Sequence, residues 1–177
     1  MHVALYTFGI FRERAEHPSN DSFHALNDPI MELVDRAPGL IARAGYEDEG
    51  GDPPEWGPQV FPRWYVERGD EWAPSTLSIW ADIEAIAAFV YSGLHCQAVR
   101  RGAEWFEKGP WPPMAMWWIA PGTRPDWPEA VRRHALLHDH GPTVEAFDLQ
   151  HLFTSDGTRF RIDTGRLAEY RGLQPSA

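Results

Sequence analysis

The sequence predicts an α+β domain of ferredoxin-like, split-βαβ type, with helices covering a four-stranded antiparallel sheet. Short β-rich runs and amphipathic helical runs follow one another in the order strand, helix, strand, strand, helix, strand. The chain has 177 residues, 43% of them hydrophobic, enough for one core and close to the size of one domain. Cys96 is the only cysteine, so no internal disulfide frames the fold.

Each element has its own signal. His2 to Phe8 is apolar, aromatic and β-branched enough for a first strand. Arg12 to Ser22 is polar and reads as loop. Apolar positions Phe23, Leu26, Ile30, Leu33, Val34 and Ala37 recur at helical spacing; Pro29 interrupts them, so the helix proper is expected to begin near Asp28, with Pro29 as its first residue. Pro38-Gly39 ends it, and Leu40 to Tyr46 reads as the second strand. Residues 47–58, EDEGGDPPEWGP, form an acidic loop insertion. Val60 to Val66 is strand-like despite Pro62, which belongs at an edge. Ser75 to Trp80 alternates as a strand, with Thr76, Ser78 and Trp80 set against Leu77 and Ile79.

Asp82 caps a helix with Ile83, Ile86, Ala87 and Val90 on one stripe, Ser92-Gly93 breaks it, and a second helical piece runs from Leu94 to Phe106. Met114 to Ile119 is apolar on both faces and reads as a central, buried strand. Asp126 and Glu129 have capping-box spacing for a helix that reaches His140. Leu149–Phe153 and Arg159–Asp163 flank a hairpin turn at Ser155-Asp156-Gly157, and Leu167–Arg171 is a final helical turn. The domain is therefore expected to span 1–147, with 148–177 a helix-and-hairpin extension packed on it. Helices on one face of the sheet leave its other apolar face bare, which predicts a homodimer.

The formal charge of −10 disfavours nucleic acid and anionic membrane as partners. No run is long and apolar enough to span a bilayer, and the first residues lack a signal-peptide pattern, so a cytoplasmic location is expected. There is no phosphate-binding glycine loop, no Gly-x-Ser-x-Gly elbow and no Cys-x-x-Cys.

Trp80, the segment Phe89-Val90-Tyr91-Ser92-Gly93 with His95, Arg100-Arg101, Glu104-Trp105-Phe106, Trp117-Trp118, Pro121-Gly122 and Gly141-Pro142 together resemble an uncharacterised bacterial domain-of-unknown-function family of the dimeric α/β-barrel superfamily. The resemblance covers Trp80 to Phe147, with His2 and Pro38-Gly39 carrying it upstream; residues 47–58 and those after Phe147 look particular to this chain. It implies the dimeric barrel; the superfamily includes cofactor-free monooxygenases, haem-dependent enzymes and muconolactone-type isomerases, so a monooxygenase-like or isomerase-like enzyme is expected, with a haem protein or a non-enzymatic ligand-binding or structural dimer as the alternatives.

The helix from Leu94 to Phe106 is the most informative segment. His95, Ala98, Val99, Gly102, Trp105 and Phe106 fall on one face, and Gln97, Arg100, Arg101 and Glu104 on the other. His95 is the single polar group on the inward stripe, and Ala98 and Gly102 remove volume beside it. That notch suits a ligand, with the imidazole as the catalytic acid/base or as a haem axial ligand. The alternative is structural: His95 bonds a backbone carbonyl at the helix break, and the small residues admit close packing.

Nine tryptophans exceed the needs of a core this size. Trp80, Trp117 and Trp118 stand on strands and would join the helix in lining a pocket for a small hydrophobic or aromatic ligand; ordinary core packing is the alternative. His134, His138 and His140 share a helix, but no glutamate follows the first, and no metal site is expected. Arg100 or Arg101 is expected to pair with Glu104 along the helix, the alternative being a site for an anionic group. No cofactor is required by the sequence; haem stays open.

Overall fold

The computed structural model describes residues 1–45 and 56–175. It is α+β, with a four-stranded antiparallel open sheet and five α-helices among the described residues. The strands are β1 (His2–Phe8), β2 (Leu40–Arg43), β3 (Ser75–Trp80) and β4 (Met114–Ile119), in the spatial order β2-β3-β1-β4. β1 pairs with β3 on one side (Leu5 opposite Ser78) and with β4 on the other (Leu5 opposite Met116). Alternation then sorts the side chains. Val3 and Leu5 face one way with Trp80 and Met116; Ala4, Tyr6 and Phe8 face the other way with Leu77, Ile79 and Trp117.

The first face is covered by α1 (Asp21–Asp35), α2 (Ile83–Val90) and α3 (Gly93–Trp105). α2 is buried all round, which explains its almost wholly apolar composition. Its start is fixed by Asp82, whose carboxylate accepts from the Ala85 N–H at 2.8 Å. Full burial of Ile83 and Ile86 contributes on the order of 2 kcal/mol each. Gly39, at φ 88°, lets the turn before β2 pass so close to α2 that an added Cβ would lie 2.5 Å from the Ala85 Cβ.

The second face is not bare. α4 (Trp127–His140) and residues 56–74 bury it, bringing Trp56, Trp127 and Ala130 against Tyr6, Ile79 and Trp117. Arg63 ties the two coverings together through ion pairing with Asp139. The side expected to await a second copy is therefore closed by the chain itself.

α5 (Thr164–Gly172) lies on α2, where Arg166 and the Tyr170 hydroxyl (3.0 Å) both reach the Asp82 carboxylate and the buried Glu84 accepts from the Asp163 N–H at 2.9 Å.

Several boundaries differ from expectation. α1 starts at Asp21, and Pro29 sits inside it, costing one backbone hydrogen bond that the amphipathic packing of the helix outweighs. β2 stops at Arg43. Residues 60–66 form no strand; Val60, Phe61, Trp64 and Tyr65 pack as irregular chain on the second face, as Pro62 allows. β4 is an end strand rather than a central one. Its outer edge is covered at one residue by Phe147, which exchanges backbone hydrogen bonds with Met116 at 2.7 and 2.9 Å, and α4 buries Trp117 and Ile119 on the second face. The hairpin at 149–163 reduces to a bridge between Phe153 and Arg159 around the Asp156 turn. Of the acidic loop, 47–55 lie outside the described residues.

Candidate functional site

Gly93, at φ 51°, opens α3 directly after α2, so the two helices meet at a sharp corner. The last carbonyls of a helix have no partner within it. His95, in the first turn of α3, supplies one: its Nδ1 lies 3.2 Å from the carbonyl oxygen of Val90. A carbonyl only accepts, so Nδ1 carries the hydrogen and Nε2 the lone pair. The ring rests on Phe89 with centroids 4.9 Å apart. Burial pushes its pKa below the ordinary imidazole value, opposed by the bond to Val90, so His95 is neutral at pH 7. Among the described residues Nε2 makes no hydrogen bond.

His95 lines a cavity of about 640 Å³ between α1, α3 and the first face of the sheet, within the range of drug-sized ligand sites. Its floor is Leu5 and Thr7 of β1 with Thr76, Ser78 and Trp80 of β3; one wall is Leu26, Ile30 and Met31 of α1. The polar side chains of the floor bond one another. Thr7 and Thr76 share a hydroxyl hydrogen bond of 2.7 Å, and the Trp80 Nε1–H donates to the Ser78 hydroxyl at 2.9 Å. Ala98 and Gly102 stand in the α3 wall, and a Cβ added at Gly102 would meet only the Phe106 ring, at 3.7 Å. Val99 and Tyr91, each about half exposed, lie at the rim.

Beyond Gly102 the lining turns aromatic. Phe106 stacks on Phe11 with centroids 5.3 Å apart, and Phe23 meets Trp105 and Phe106 edge-on, each at 5.6 Å. Trp105 is fixed by its Nε1–H, which donates to the Ser22 hydroxyl at 2.9 Å, and Arg101, paired with Glu104 at 2.8 Å, donates to the same hydroxyl.

His95, Trp80, Ala98, Val99, Gly102, Trp105 and Phe106 thus share one cavity. Trp117 and Trp118 do not join them. Strand alternation turns Trp117 to the second face under α4. Trp118 points to the first face, but the C-terminal segment seals it: its Nε1–H donates to the Phe153 carbonyl at 2.9 Å and its ring lies beside Phe147. The α1 wall was visible only as a helical stripe; the run Thr76-x-Ser78-x-Trp80, which aims hydrogen-bonding side chains at a core face, was the missed signal for the floor.

Of the three α4 histidines, His134 is fully buried on the second face with Nε2 at 2.7 Å from the Pro112 carbonyl, and His138 bonds Asp139. Among the described residues no group of three His, Cys, Asp or Glu side chains is placed to hold a metal ion. No helix among them is long and apolar enough to cross a membrane.

A family model described as a domain of unknown function, DUF3291, matches residues 2–162. The chain belongs to the DUF3291 family. No curated protein and no solved structure matches it. The DUF3291 span takes in the four strands, the first four helices and the whole cavity, and it continues through residues 47–58 and past Phe147 to Ile162. The match thus runs over most of the segment that seals Trp118, and α5 lies beyond it.

Proposed function

We propose that this DUF3291 protein binds a small hydrophobic or aromatic molecule in the cavity beside His95, and acts on it as a monooxygenase-like or isomerase-like enzyme. The supporting observation is the cavity of about 640 Å³, apolar over most of its lining, with one neutral imidazole in its wall. An imidazole whose Nδ1 is held by Val90 offers Nε2 as a base that takes a proton from a bound molecule and returns it. Uptake of an uncharged dye such as Nile red tests the cavity. Saturable fluorescence enhancement that Gly102→Leu abolishes supports it; enhancement that survives the leucine, or none at all, overturns it.

Haem has one observation in its favour. A metal-ligating histidine commonly donates its other N–H to a backbone carbonyl, as His95 does to Val90. The lining fits the haem carboxylates less well, since its cations are Arg43, paired with Asp35, and Lys108, which is exposed. The uncharged ligand is therefore the preferred occupant; a Soret band with added haemin, lost in His95→Ala, would reverse that order.

The ferredoxin-like assignment belongs with these proposals and is supported by the element order and the strand order β2-β3-β1-β4. The homodimer rests on the family resemblance, and a single monomer-sized boundary in sedimentation at micromolar concentration overturns it.

A further inference from the structure

Two of the charged groups in the cavity wall are held by neighbouring side chains; Lys108, which is exposed, and the half-buried Asn27 also line it. Arg43 grips Asp35 with two hydrogen bonds of 2.5 and 3.0 Å, and Glu107 pairs with Arg68. An anionic ligand would have to break such a pair or draw on the solvated ammonium of Lys108 alone. Thr7 and Thr76 share one hydroxyl hydrogen bond and Ser78 accepts from Trp80, so the floor keeps hydroxyl hydrogens to donate. In the α3 wall stands Nε2 of His95, without a hydrogen bond among the described residues, and with Nδ1–H fixed on Val90 it can only accept. A neutral ligand that satisfies it must bring a donor.

The position of that acceptor also gives the ligand a direction. His95 is in the first turn of α3 and Trp105 is its last residue, roughly 15 Å further along the helix at 1.5 Å per residue. The far end of the cavity is the ring cluster of Phe23, Trp105 and Phe106, and the stretch between is opened by Ala98 and Gly102. Aromatic side chains set edge-to-face favour a flat ring system beside them.

Taking the cavity as a ligand site, we propose that its ligand is an uncharged, extended aromatic alcohol, a polycyclic phenol in class, whose hydroxyl donates to Nε2 of His95 while its rings lie against Phe23, Trp105 and Phe106. The neutral state of His95 agrees with this, because a protonated imidazole would offer a second donor to the hydroxyl instead of an acceptor. The proton of the phenol is also the one the imidazole is placed to take.

Displacement of bound Nile red by three matched probes at neutral pH tests the proposal: hydroxyphenanthrene, its methyl ether, and phenanthrene carboxylate. The phenol should displace the dye at about tenfold lower concentration than the ether, the difference one neutral hydrogen bond makes. The carboxylate should be the weakest. His95→Phe should bring phenol and ether together, whereas His95→Gln, whose amide oxygen still accepts, should keep part of the gap in a folded pocket. An ether equal to the phenol in the unaltered protein, or a carboxylate that binds best, overturns the ligand class while leaving the cavity reading standing. If Nile red itself is not taken up, the cavity reading falls, and the ligand class falls with it.

Discussion

Replacing His134 by glutamine should flatten the loss of stability between pH 7 and pH 4. His134 is fully buried between α4 and the sheet, with its Nε2–H on the Pro112 carbonyl at 2.7 Å and the rings of Trp64, Tyr6 and Phe8 edge-on at 5.3, 5.5 and 5.8 Å. Burial lowers its pKa from 6.5 to about 4, against the pull of the Pro112 bond and helped by the charges of His138 and Arg63. Below its ordinary pKa the unfolded chain takes up a proton there that the folded chain refuses, so stability falls as the pH falls. At about 1.4 kcal/mol per pKa unit, that loss reaches about 3 kcal/mol by pH 4. Glutamine does not titrate and retains an N–H for the Pro112 carbonyl. Urea unfolding of both proteins at a series of pH values measures the difference. The carboxylates lowered by their partners, Asp35 and Asp156 among them, act equally in both and drop out of the comparison. Parallel curves for the two proteins would refute the assignment of this acid limb to His134.

Gly39→Ala should destabilise by about 2 kcal/mol or more in urea unfolding, because a positive φ and a 2.5 Å approach to the Ala85 Cβ oppose it together. Gly102→Ala should raise stability by about 1 kcal/mol through helix propensity, with a matching rise in Tm. Asp82→Ala removes the cap of α2 along with the acceptor of Arg166 and Tyr170, and should cost about 1–2 kcal/mol. Hydrogen exchange should then show α5 losing protection before α1 does.

Local patterns carried much of the architecture. Alternation in Ser75–Trp80, the Asp82 and Asp126 caps and the apolar run at Met114–Ile119 identify β3, α2, α4 and β4 because each depends on residues close in sequence. Strand alternation likewise separates Trp117 from Trp118 correctly. What residues 56–74 cover depends on chain that returns from elsewhere, and no period within Val60–Val66 reports it. The same holds for β4, an end strand covered by Phe147 at its edge and by α4 on its second face. At the site, the His95 face of α3 was legible from helical spacing, while the opposing wall of α1 and the closing of Trp118 by Phe153 required the tertiary structure.

The pairing of Phe147 with Met116 bears on how the chain is made. β1 emerges first but lies inside the sheet, so it waits for β3 and β4, more than a hundred residues of synthesis. When β4 arrives, its outer edge is still open, and it stays open until Phe147 follows and binds it on both sides of one residue. In that interval a nascent chain exposes an unpaired strand bearing Met114, Met116 and Trp118, the kind of edge that recruits other chains. Release of a chain cut shortly before Phe147 would make that interval permanent, and aggregation rather than a smaller folded domain is the expected product.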